Sequence, residues 1–198
     1  WGAGGEARKT ILEGSEEAGL TAIMTGLGSL SYGELAGERI KLGLMIHDPE
    51  EEHDCFSDTT HASHFFAALV IRNVYLGTYR RIDRSLVSGP SVSDLVRAKA
   101  PEVDAELRAK LDATMEAMNA LYLRALTTES YDQMIGEDNE EGNAVVQRVV
   151  DALLDQTKAI QKAVAALDLK NIEFEGSDSL DDPEKVVEEQ KAAAGGAN

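Results

Sequence analysis

The stretch LMIHDPEEEHDCFSDTTHASHFF, residues 44–66, holds all four histidines of the chain, its single cysteine and six carboxylates. Imidazoles, carboxylates and a thiol gathered this closely are the groups that bind metal ions or move protons. Pro49 disfavours helix at Asp48, so a preceding helix must end near Ile46 or His47, and a new turn can begin there. With Pro49 in the first position of that turn, Glu50, His53 and Asp54 fall at i, i+3 and i+4 on one helical face, while Glu52 and Cys55 share another. Imidazole and carboxylate at this spacing suit iron, zinc or manganese, and the carboxylates also suit calcium. His61 and His64 form a further i, i+3 pair on the next helix. Cys55 is either a soft ligand or a small buried hydrophobe. A plainer reading competes: acidic residues after a proline complement the helix dipole, Asp58 with Thr59 or Thr60 is an N-cap, and His61 and His64 pack beside Phe65 and Phe66.

The elements that must position these groups are helical. Val103, Leu107, Leu111, Met115, Met118, Tyr122 and Ala125 recur at three and four residues, one stripe of a long amphipathic helix opened by Pro101. A second such helix is expected from about Asn143 to Leu167, with Val146, Val149, Val150, Leu153, Leu154, Ile160, Val164 and Leu167 inward. A third is expected from Ser15 to about Ile46. Its Gly26, Gly33, Gly37 and Gly43 each cost about 1 kcal/mol relative to alanine, which points to close packing. A fourth starts near Thr59 or Thr60, is expected to bury Phe65, Phe66, Leu69 and Val74, and stops at Gly77. The strand formers of TYRRIDRSLVSG, residues 78–89, predict a short hairpin, and Ser91 with Asp94 stand at capping-box spacing for a short helix to about Lys99.

Composition narrows the class. Net charge is −17, with 36 acidic against 19 basic residues, and such a field repels phosphate backbones and anionic lipid headgroups, so nucleic acid is not an expected partner. No stretch approaches the roughly 18 apolar residues that span a bilayer, so no membrane-spanning segment is expected. One cysteine makes no internal disulfide. Trp1 is too bulky to follow routine removal of an initiating methionine, which predicts an amino terminus made by cleavage. From Gly176 the composition turns acidic and loses apolar periodicity, so residues 1–175 are expected to form the helical bundle and 176–198 a partly disordered acidic tail. The fold class expected is all-α, a bundle of four or more helices with a small β-hairpin insertion.

Other motifs are weak. His47 to Glu50 spells HxxE, but Pro49 inside it spoils the helical geometry. GLGSLSYG, residues 26–33, lacks the third glycine of a dinucleotide fingerprint and follows no strand. Tyr75, Tyr79, Tyr122 and Tyr131 are expected to pack with a polar tip reaching the surface.

GSLSYGELAGERIKLGL at 28–44, DPEEEHDCFSDTTH at 48–61, then IRNVYLGTY, GPSVSDLV and DALLDQTKAI follow in an order and spacing that resemble the second half of imelysin-like proteins over roughly residues 20–180. The resemblance implies an all-helical protein of two related bundle halves, a functional site where the halves meet, export to the bacterial periplasm or cell envelope, and a link to iron uptake. Some members are classed as metallopeptidases. The HxxE metal motif of the family lies in its first half, so the echo at His47 carries no such role. Matching positions make Glu34, Arg39, Glu52, His53 and Asp58 the leading metal or ligand-binding candidates, with Glu38, Cys55, Ser57 and His61 secondary, and Glu50 and His64 join the secondary set by their spacing. The expected cofactor is iron or zinc, and the expected partners are the amino-terminal half of the same precursor and a metal or small ligand. A zinc metallopeptidase and a structural partner domain without a site of its own are the alternatives. No catalytic residue follows from the sequence.

Overall fold

Ser15 opens the first long element as an N-cap, its hydroxyl accepting from the Ala18 amide. In the computed structural model, which describes residues 2–195, helix α1 (Glu6–Glu13) precedes a rod built of α2 (Glu16–Ser29), a π-helical segment (Leu30–Lys41) and α3 (Leu42–Ile46). The rod stops at His47, whose φ of 54° is left-handed, where Pro49 forbids further helix. A 3-10 turn (Pro49–Glu51) and a loop lead to α4 (Thr60–Leu76), closed by Gly77 at φ 61°. Strands β1 (Thr78–Arg80) and β2 (Leu86–Ser88) pair antiparallel, Tyr79 opposite Val87. After them come α5 (Val92–Lys99), α6 (Pro101–Thr127), α7 (Tyr131–Ile135), α8 (Glu140–Ala166), α9 (Asp178–Asp181) and α10 (Pro183–Gly195). The all-α bundle with its small hairpin is therefore the fold. Trp1, on which the expectation of a cleaved terminus rests, lies outside the described residues.

Helices α6 and α8 run antiparallel, with Lys162 paired to Glu106 at one end, Lys110 to Asp155 in the middle and Arg124 to Glu141 at the other. The expected stripes bury Leu107, Leu111 and Met118 on α6 and Val146, Val149, Val150, Leu153 and Ile160 on α8. One apolar cluster joins Met118, Val146, Val149, Val150 and Leu153 of these stripes to Leu35, Ala36 and Ile40 of the rod and to Tyr131, Met134 and Ile135 of α7. A second joins Leu107, Leu111 and Ile160 to Met24, Leu27, Ile71, Tyr75, Val92 and Val96.

The structure corrects the expected inward face of α4 and the expected surface tips of Tyr75 and Tyr131. Helix α4 turns Thr60, His64, Ala68, Ile71 and Tyr75 inward, leaving Phe66 and Val74 exposed. The buried stripe thus includes two polar residues that an apolar count passes over, and the inward face is rotated from the one read at Phe65 and Phe66. Tyr75 and Tyr131 are wholly buried, tips included, the Tyr75 hydroxyl donating to Asp104 at 2.8 Å. In the acidic segment from Gly176, α9 and α10 are helical, and Ser177 and Ser179 are buried. Of the four glycines expected to pack closely, two do: a Cβ on Gly33 would strike the Glu175 carbonyl and one on Gly37 the Ser177 side chain, while Gly43 has only ordinary contacts. Gly26 faces open space instead.

Candidate functional site

The π segment sets up one edge. A π turn closes from residue i to i+5, which brings Glu34 and Arg39 together, and Arg39 donates from Nε (3.1 Å) and Nη2 (2.9 Å) to Glu34 Oε2. Helix α4 supplies the floor. His64 lies on its inner stripe, fully buried, with the Tyr131 ring edge-on at 5.2 Å between centres. His61, one turn earlier, is half-buried against Tyr122 at 5.3 Å.

The acidic loop is stitched to the start of α4. Thr60 Oγ1 accepts from the Asp54 amide at 3.0 Å, the Ser63 hydroxyl donates to the Asp54 carboxylate, and Ser57 and Thr59 hydroxyls meet at 2.6 Å. Asp58 turns back through a left-handed φ of 52°, a conformation aspartate tolerates better than most residues. This stitching carries Glu52 inward, where it is only 6% exposed, and leaves His53 at the surface with its ring centre 6.4 Å from that of His64.

Burial governs the charges. It drives the Glu52 carboxyl above the usual carboxylate range; the Thr60 hydroxyl pulls the other way, and Asp132, Asp58 and Asp54 push further up. His64 is held down at about 3, first by burial, then by the charges of His53, Arg39 and His61. It is therefore a neutral imidazole at any physiological pH, with one ring nitrogen free to act as a lone-pair donor. Burial, with Glu52 nearby, also pushes the Tyr131 hydroxyl up.

Five buried side-chain polar atoms have no hydrogen-bond partner among the described residues: Glu52 Oε2, His61 Nδ1, both ring nitrogens of His64 and the Tyr131 hydroxyl. All five belong to this one cluster. Leaving such a group unpaired costs about 1–3 kcal/mol each, and their concentration in one place makes this cluster the candidate site.

The sequence candidates are distributed unevenly. Glu52 and His64 meet inside, His53 and His61 flank them, and Arg39 with Glu34 stands close enough for its charge to act on His64. Asp58 is exposed on the loop and acts on Glu52 only through its charge. Glu38, Glu50 and Ser57 are exposed and Cys55 is half-buried. The expected face of Glu50, His53 and Asp54 does not form. The 3-10 turn ends at Glu51, and Glu52 is extended at ψ 140° because the side chains of Asp48, Thr60 and Ser63 hold the loop. His47 is occupied by the Ile135 carbonyl at 2.7 Å, so HxxE is broken as expected. Sequence reasoning named Thr60 only as an N-cap candidate and did not place Tyr131 beside His64. The only signal for Tyr131 is that Ser130 and Gln133 make a capping box that starts α7 there.

As a metal centre the donor chemistry fits but the spacing is open. Two imidazoles and a carboxylate are the ligands zinc or iron takes, yet among the described residues no three His, Cys, Asp or Glu side chains are grouped tightly enough to hold an ion. Two imidazoles on one tetrahedral zinc stand about 5 Å apart between ring centres, so His53 must move inward by an ångström or so to share an ion with His64.

The imelysin model of peptidase family M75 matches residues 1–160. The chain belongs to the imelysin family. No curated protein matches it, and no helix among the described residues is long and apolar enough to cross a membrane.

Proposed function

We propose that this chain binds a metal ion or an iron-bearing small ligand at the polar cluster of Glu52, His53 and His64, as part of a cell-envelope imelysin-family protein of bacteria that serves iron uptake. The observation that carries the reading is the gathering of five unpartnered buried polar atoms on Glu52, His61, His64 and Tyr131, with the His53 ring beside that of His64. Neutral His64 offers a lone pair, Glu52 a carboxyl that becomes a better ligand once a cation offsets its burial, and exposed His53 a donor able to close over the ion. Arg39 and Glu34 form the edge, where an amino-terminal half of the same precursor would complete the enclosure. A bound cation would supply Lewis acidity.

Calorimetric titration with zinc and with ferrous iron, each as the metal alone, is the test. One ion per chain is expected, with affinity falling at least tenfold in Glu52→Gln and in His64→Leu. No binding, or binding unchanged by both substitutions, would leave the cluster a structural oddity of a partner domain.

A further inference from the structure

Residues 172–181 lie along the rod outside the 1–160 span that the family model matches. The Phe174 ring covers Gly28, the Glu175 and Gly176 carbonyls cover Gly33, and the Ser177 side chain covers Gly37. Polar contacts fix the same path: the Glu175 amide donates to Ser29 Oγ at 3.0 Å, the Tyr32 hydroxyl to Asp181 at 2.5 Å, and the Ser177 amide to Asp181 at 3.0 Å. Leu180 packs on the apolar cluster containing Leu35 and Ile40.

One strip of chain touching both Gly28 and Gly37 is informative about winding. At 3.6 residues per turn, nine residues are roughly two and a half turns, which would put these glycines on opposite faces of an α-helix. The Glu34–Arg39 pair obeys the same arithmetic: five α-helical residues would leave them about 140° apart around the axis. The wider π turns between Leu30 and Lys41 bring the glycines under one strap and the ion pair into register together.

We propose that residues 172–181 act as a strap that selects the π winding of residues 30–41 and thereby forms the Glu34–Arg39 pair at the edge of the polar cluster. Seating the strap and pairing Arg39 are two readouts of one backbone state. Without the strap, the segment gains by reverting to ordinary α-helical winding, which separates the pair. Arg39 and Glu34 are positioned through Gly33 and Gly37, which touch neither ion nor ligand.

The test needs no ligand, so it fails or succeeds apart from the binding reading. Amide hydrogen exchange and the Arg39 Nε–H resonance are followed in the full chain and in Gly37→Ala, whose added methyl strikes Ser177. Exchange is expected to rise at least tenfold at 174–181 and at 30–41, with a displaced Arg39 signal, while amides 149–163 of α8 stay protected. Tyr32→Phe combined with Asp181→Asn removes the latch without adding bulk, and is expected to move the same signals by a smaller factor. It decides the matter should Gly37→Ala not fold. A strap set free with Arg39 and residues 30–41 unchanged would overturn the proposal, as would a strap still protected in both variants.

Discussion

His64 is a neutral imidazole enclosed by Tyr131, His53 and the charge of Arg39, and its environment makes stability depend on pH. Its folded value of about 3 lies below the ordinary 6.5. Between those values the unfolded chain binds a proton that the folded chain refuses, so stability falls as pH drops through the window. Glu52 works in the opposite sense: its raised folded value means that burying it costs most at higher pH, and acid relieves that cost. Comparing denaturant unfolding of the protein with that of His64→Leu isolates the histidine. Between pH 7 and pH 4.5 the parent is expected to lose about 2 kcal/mol more than the variant; equal losses would mean His64 is solvated in the folded state. Little of this is legible in sequence. The crowding of histidine and acid in residues 44–66 is plain, but which of them turns inward depends on the Asp54 clasp to Thr60 and Ser63 and on Tyr131, which arrives from a helix 67 residues beyond His64.

At the level of elements, the helix starts and stops are the parts that local chemistry encodes most fully. Ser15, Pro101 and Gly77 mark the boundaries expected of them, and Ser91 with Asp94 forms both bonds of a capping box. Ser91→Ala is expected to cost about 1 kcal/mol in thermal or denaturant unfolding, whereas no change would mean that α5 is held by Val92 and Val96 alone. Winding is less legible. The one trace of the π segment is the five-residue spacing of Glu34 and Arg39, which an α-helical reading has no use for, and the strap that favours it is remote in sequence. The inward face of α4 was hidden for a related reason: apolar counting follows Phe65 and Phe66, while packing against the rod and α6 selects the stripe through His64.

Across the whole molecule, two apolar clusters along the α6–α8 pair supply the scaffold, and the polar cluster sits where the rod, α4, α7 and the acidic loop converge. The fold class follows from amphipathic periodicity, since α6 and α8 carry much of the core. The site does not, because it is assembled from three separated segments, the rod, residues 52–64 and α7, whose approach no local pattern states. A net charge of −17 favours cations over anions near that site at low salt. The central claim is that the five unpartnered atoms frame a ligand site, and anomalous diffraction from zinc-loaded crystals tests it most directly. The account predicts a single strong peak within bonding distance of a His64 ring nitrogen and the Glu52 carboxyl, with His53 drawn inward. Zinc bound only at surface carboxylates, with His64 and Glu52 unmoved and unliganded, would contradict it.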